Sequence, residues 1–118
     1  MNVRLAGLTA VMTAAFAAPA LANHSFAMYD TDKTFTLQGT VKQFEWVNPH
    51  SWLRVMAAAD ERTGKAALWT FEFGAPSQLI TTGIYANSFK PGDVVSVTFH
   101  PRRDGSRTGL VVRGAVAR

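Results

Sequence analysis

The sequence predicts an all-β domain with one short helix. Three observations indicate this fold class: segments in which apolar and polar residues alternate, turn residues between those segments, and one stretch from Pro to Gly with helical spacing. Two of the turns, at 60–65 and 101–108, combine Gly with charged residues, as hairpin tips do. The elements therefore follow one another in the order β-β-β-α-β-β.

The first predicted strand begins at Thr34 and is long. After Lys42 and Gln43 the alternation slips by one residue, so that Phe44 and Trp46 become the large apolar positions. A slip of one residue within a continuous strand predicts a β-bulge. Gly39 lies in the middle of this strand, where glycine indicates a bend or the close approach of another chain segment.

The other strands are shorter. The second strand is predicted at Trp52–Ala57, after a turn at Asn48-Pro49-His50 in which Pro49 restricts the backbone of its neighbour. The third is predicted at 67–73, the fourth at 94–99 and the fifth at 110–117. The third strand has an aromatic face, which we assign to the core: Trp69, Phe71 and Phe73.

A short helix is predicted between the third and fourth strands. Pro76 suits the first helical position, and Gly83 suits the C-terminal end. Five short strands with a helix at this place match the five-stranded Greek-key barrel called the OB-fold. The alternatives are an open antiparallel sheet with a helix on one face, and a small sandwich.

Residues 1–22 have the pattern of a cleavable secretory signal peptide. A positive charge at Arg4 precedes an uncharged run that ends at Ala18, and small residues precede the predicted cut after Ala22. The run is shorter than the ~20 residues that a transmembrane helix needs. An uncleaved anchoring helix is the alternative.

Cleavage would leave a periplasmic chain with no membrane span. We expect it to consist of an N-terminal arm at 23–33 and an OB-like β-barrel domain at 34–118. Exposed barrel edges allow a monomer or a weak dimer, and the expected partner is a periplasmic ligand or protein of unknown identity. Nucleic acid is not expected as a partner, because an exported domain does not usually meet it.

The composition excludes several kinds of site. The chain has 118 residues and no Cys, so it has no thiolate metal site, no CxxC redox motif and no Cys nucleophile. Its formal net charge is +4, and its one local basic cluster is Arg102, Arg103 and Arg107. No phosphate-binding loop, GxGxxG, GxSxG or nucleophile–base pair is recognisable. We therefore expect a non-enzymatic domain, with a small hydrolase or isomerase as the third hypothesis.

The leading hypothesis is a non-enzymatic periplasmic binding or accessory domain, and two histidines predict a metal site as its more specific form. Cleavage after Ala22 would make His24 the second residue, so that the Asn23 amine, an amide nitrogen and the imidazole can chelate one ion. Cleavage one residue earlier would make His24 the third residue and give a square-planar site with four nitrogen ligands. Cu²⁺ suits nitrogen ligands of this kind. His50, in the predicted turn, can add an imidazole if the arm folds back over that end. The alternatives are an exposed terminal histidine at 24 and, at 50, one that bonds the loop backbone or stacks on Trp52.

Surface aromatic residues predict a second kind of ligand. The outward side of the second and third strands of an OB-fold can stack bases or sugars. The candidates for binding a glycan, a peptide or another polymer are Trp46, Trp52 and Arg54. This is the alternative to copper within a non-enzymatic binding domain.

Several short motifs resemble a family of small exported bacterial proteins that is classed as a domain of unknown function. They are HSF at 24–26, GTV at 39–41, NPHSW at 48–52, PGD at 91–93 and RDGS at 103–106. The similarity covers essentially the whole mature chain, and it implies a single periplasmic domain with no established activity. Family members often begin with two histidines, HHSF. Here Asn23 replaces the first, which weakens a terminal metal site but leaves His24 and His50 in place.

Overall fold

Five strands close into a barrel in the computed structural model, which describes residues 27–58 and 63–117. The strands are β1 (Phe35–Glu45), β2 (Trp52–Ala57), β3 (Ala67–Glu72), β4 (Val94–Pro101) and β5 (Thr108–Ala117). Around the barrel they follow the order β1-β2-β3-β5-β4, and β4 pairs back onto β1. All pairs are antiparallel except β3 with β5. The predicted OB-fold and its order of elements are confirmed. The predicted signal peptide, Asn23 and His24 lie outside the described residues.

β1 serves both halves of the barrel. Its residues 35–40 pair with β4, and its residues 39–45 pair with β2. The register with β2 shifts between Val41 and Gln43, which confirms the predicted bulge. The bulge adds a bend, and this bend lets one strand pair with two neighbours in different directions.

Gly39 lies in the part of β1 that both neighbours share. A Cβ atom at this position would lie 2.5 Å from the carbonyl oxygen of Met56 and 2.6 Å from Cγ1 of Val55. The predicted close approach of another segment is therefore confirmed, and the segment is β2. Only glycine fits here without displacement of the neighbouring strand.

The core fills the barrel with alternate residues of the strands. The inward residues of β4 are Val95, Val97 and Phe99, and each is at most 2% exposed. The aromatic face of β3 packs in or against this core as predicted, with Phe71 fully buried and Trp69 at its margin. Burial of these side chains is the main favourable term in folding.

One short helix, α1 (Pro76–Leu79), packs against the core through Leu79. It continues as a 3₁₀ turn at Ile80–Thr82 and ends at Gly83, whose φ of 84° is left-handed. Both ends agree with the sequence prediction. None of the helices in the described part of the chain is long and apolar enough to cross a membrane.

Candidate binding site around Glu72 and His50

His50 lies in the turn between β1 and β2, and its neighbour Ser51 fixes this turn. The Ser51 N–H donates to the Gly74 carbonyl at 3.1 Å, and the Ser51 carbonyl accepts from the Phe73 N–H at 2.8 Å. The hydroxyl of Ser51 donates to the Val47 carbonyl at 3.3 Å, within the turn itself. Ser51 is fully buried. These bonds place His50 beside the end of β3.

Glu72 is a buried carboxylate at that end of β3. It is the register partner of Trp52, and its side chain is on the opposite face of the strand from the core residue Phe71. Oε2 accepts a hydrogen bond from the Tyr29 hydroxyl at 2.5 Å, and Oε1 lies 3.5 Å from Nδ1 of His50. One carboxylate therefore joins the N-terminal arm, the end of β3 and the β1–β2 turn.

The contact with Glu72 determines how His50 meets a ligand. A carboxylate beside one imidazole nitrogen leaves the other nitrogen open to a ligand. Here Nδ1 faces Glu72, which leaves Nε2 as the acceptor or metal-binding atom. The side chain of His50 is 41% exposed, whereas that of Glu72 is 8% exposed. The carboxylate is therefore buried and the imidazole is open to solvent.

The arm is fixed to the loop between β4 and β5. Tyr29 forms an antiparallel bridge with Arg102. The backbone N–H of Arg103 donates to the Met28 carbonyl at 2.8 Å, and its Nε donates to the Ala27 carbonyl at 3.1 Å. Two arginines of the basic cluster therefore hold the arm. Their contacts bring the arm to the same end of the barrel as His50.

His100 holds the arm at the start of β1. Its Nδ1 donates to the Lys33 carbonyl at 2.7 Å and lies 3.5 Å from the Thr34 hydroxyl oxygen. This histidine joins the end of β4 to the segment before β1, and its contacts are those of a structural residue.

The predicted ligand residues separate into two groups. Trp52 and Arg54 share the outer side of β2, and Arg54 forms an ion pair with Glu45. Trp46 instead packs edge-on against Phe44, with ring centroids 6.0 Å apart, and against the core. The structure thus brings two of the three candidates together on one surface.

Sequence reasoning identified His50 but missed the partners that hold it. Tyr29 and Glu72 are 43 positions apart, so no local pattern relates them. The available signal was the position of Glu72 between Phe71 and Phe73 at the buried end of a strand. Within residues 27–58 and 63–117, no three His, Cys, Asp or Glu side chains are close enough to hold a metal ion.

The pKa of Tyr29 is raised above its usual value. Burial is the larger cause, and the hydrogen bond to Glu72 is the next. The folded protein therefore keeps the Tyr29 proton at a pH where the unfolded chain loses it. The stabilisation from this group is full below the ordinary tyrosine pKa of about 10 and is lost as the pH rises above it. We expect Tyr29→Phe to be less stable than the wild type at pH 7 and to lose less stability between pH 7 and pH 11.

Urea unfolding at the two pH values measures this difference. Tyr85→Phe is the matched control, because Tyr85 is 53% exposed. It should follow the wild type at both pH values. If the stability of Tyr29→Phe falls as steeply with pH as that of the wild type, Tyr29 does not keep its proton through burial against Glu72.

The closed five-stranded barrel, with its short helix between β3 and β4, defines the chain as a small OB-fold domain. The model of a family of unknown function, DUF6152, matches residues 10–113, and the chain belongs to this family. The comparison with curated proteins gave no match.

Solved structures show the same fold. The chain is similar to the mitochondrial single-stranded DNA binding protein Rim1 from S. cerevisiae, with a TM-score of 0.54 and 8% identity over 73% of this chain and 94% of the other. A second crystal structure of Rim1 gives a TM-score of 0.53 and 10% identity, over 73% and 95% of the two chains. At this identity the similarity is one of fold.

Proposed function

We propose that this chain is a non-enzymatic accessory domain of the periplasm that binds Cu²⁺ through the Asn23 amine, His24 and His50. The observation that supports the proposal is the Glu72 carboxylate, which contacts both His50 and Tyr29 of the arm. The same carboxylate orients one predicted ligand and anchors the segment that leads to the others.

His50 has the surroundings of a metal-binding histidine. Such histidines usually donate their second ring N–H to a carboxylate or a carbonyl, which fixes the ring and makes the first nitrogen more basic. Glu72 has this position relative to Nδ1 of His50. Nε2 is then available for the ion.

The anchor of the described arm is close in sequence to His24. Ala27 and Met28 are bonded to Arg103, and His24 precedes Ala27 by only three positions. A terminal amine, an amide nitrogen and two imidazoles would give Cu²⁺ the tetragonal nitrogen ligation that it prefers.

Copper titration of the protein purified from the periplasm tests this function. Intact mass must show Asn23 as the first residue, since the amine of the new terminus is one of the ligands. We expect His24→Ala and His50→Ala each to weaken Cu²⁺ binding at least tenfold. Binding should also weaken below about pH 6, because histidines must lose their protons to bind the ion.

His100→Asn is the matched control. It removes an imidazole but keeps a side-chain N–H for the Lys33 carbonyl, so the arm should stay in place. Copper affinity should then equal that of the wild type. Equal affinity in all four proteins, or a first residue other than Asn23, would exclude this site.

Three of the arginines do not favour nucleic acid as the ligand, although Rim1 is described as a single-stranded DNA binding protein. A nucleic-acid surface needs cations that are free to neutralise phosphates. Here Arg102 and Arg103 contact the arm, and Arg54 is paired with Glu45. These contacts support a ligand other than a phosphate polymer.

A further inference from the structure

The outer face of the first three strands lies beside the proposed copper site. Of its side chains, only Glu72 takes part in that site, through its contact with His50. We define the outer face as two rows of register partners across β1, β2 and β3. The first row is Glu45, Trp52 and Glu72, and the second row is Gln43, Arg54 and Thr70. Register partners in antiparallel strands point to the same side of a sheet. The opposite side holds the buried residues Leu53 and Val55.

We propose that the outer face binds a neutral oligosaccharide, with one sugar ring stacked on Trp52 and its hydroxyls bonded to Arg54, Glu45 and Gln43. This inference does not depend on copper binding. It concerns a different ligand and a surface that begins one residue beyond the β1–β2 turn.

Trp52 supplies the apolar part of such a site. The residue is half-buried and lies on the outer side of β2, so part of it meets solvent. The register places the partly exposed carboxylate of Glu45 beside it on β1, whereas Glu72, its partner on β3, is buried and bonded to Tyr29. A sugar ring has an apolar C–H face and a rim of hydroxyl groups. An aromatic ring flanked by hydrogen-bonding groups matches both parts.

The charges on the outer face favour a neutral ligand over a charged one. Arg54 is paired with Glu45, and its Nη1 also donates to Oε1 of Gln43 at 3.2 Å. A phosphate or sulfate polymer would therefore meet a cation that Glu45 already neutralises, and a cationic peptide would meet Arg54.

The same paired groups suit hydroxyls, which both donate and accept hydrogen bonds. The Arg54 and Glu45 side chains are 33% and 32% exposed. Each side chain can therefore form a hydrogen bond to a ligand through its exposed atoms while it stays paired with the other side chain. A guanidinium offers five N–H donors, and a carboxylate offers about four acceptor positions. Paired side chains of this kind are already ordered before the ligand arrives, which lowers the entropic cost of binding.

Nuclear magnetic resonance titration with three neutral hexasaccharides tests the proposal: cellohexaose, maltohexaose and chitohexaose, each in EDTA so that metal is absent. We expect at least one of them to shift the indole N–H signal of Trp52 and the side-chain signals of Arg54. Trp52→Ala should weaken that binding at least tenfold. Trp52→Phe keeps an aromatic ring and should retain part of the affinity, which separates loss of stacking from loss of folding.

Trp46→Phe is the matched control, because Trp46 packs against Phe44 and the core. Its affinity should equal that of the wild type. Three outcomes would overturn the proposal. The first is no signal shift with any hexasaccharide at millimolar concentration, and the second is wild-type affinity in a folded Trp52→Ala protein. The third is that a heparin oligosaccharide or a thymidine oligonucleotide binds at Trp52 more tightly than the hexasaccharides.

Discussion

Replacing Gly39 by alanine is expected to lower the free energy of unfolding by about 3 kcal/mol, as overpacking at a well-packed position does. The added methyl group would lie 2.5 Å from the Met56 carbonyl oxygen and 2.6 Å from Cγ1 of Val55. The first of these atoms is backbone, so β2 itself must move. Gly39 pairs with Ala57 at the end of the β1–β2 ladder and with Val95 of β4, so the movement strains the point at which both ladders meet. Guanidinium unfolding followed by tryptophan fluorescence measures the loss.

Gly114→Ala is the matched control for this change. It adds the same methyl group to another strand, β5, where the nearest atom is Cζ of Phe89 at 3.4 Å. We expect a change within about 0.5 kcal/mol, since removal of a glycine also restricts the unfolded chain. A Gly39→Ala protein as stable as the Gly114→Ala protein would mean that the two strands are not held in close contact.

Replacing Glu72 by alanine is expected to cost about 3 kcal/mol and to release the arm. The substitution leaves the hydroxyl of Tyr29 buried without its acceptor, and an unpaired buried donor bears a full desolvation penalty. It also removes the carboxylate next to His50. Unfolding in urea measures the first effect. Limited proteolysis measures the second, through faster cleavage within residues 27–33.

The partner variant identifies the cause of this loss. Tyr29→Phe should cost less in the Glu72→Ala background than in the wild type, because the hydrogen bond is already absent. Glu72→Gln keeps an acceptor oxygen and should cost less than Glu72→Ala. Glu45→Ala is the control, since its ion pair with Arg54 is partly exposed and such pairs contribute about 0.5 kcal/mol. Additive losses for Tyr29 and Glu72 would refute a direct coupling between them.

The barrel could be predicted from the sequence because its signals are local. The alternation along β4 places Val95, Val97 and Phe99 on one face, and all three are buried. The slip at Lys42 and Gln43 identified the bulge, since inserting one residue reverses the faces of all later ones. Each of these patterns involves neighbours a few positions apart.

The site could be predicted only in part because its contacts are distant in sequence. The turn residues indicated that His50 would be presented at a loop, and the structure places it in that turn. Alternation assigned Glu72 to the outer side of β3, which is correct, but this rule also implies exposure. Glu72 is buried instead, because the arm covers it and Tyr29, 43 positions away in sequence, donates a hydrogen bond to its carboxylate. Burial by a segment so distant leaves no periodic trace around Glu72.

The sharing of β1 between β2 and β4 determines how cooperative the domain is. Gly39 and Thr40 are paired with both neighbours at once, so neither half of the barrel can separate without breaking the pairing of the other. The barrel also closes where β3 pairs with β5. This pairing consists of three residue pairs, which are too few to hold the two strands together once β1 has separated from its neighbours. A structure without separable parts loses its strands in a single transition. A substitution that destabilises the bulge of β1 is therefore expected to destabilise the arm, the helix and the turn that holds His50 as well.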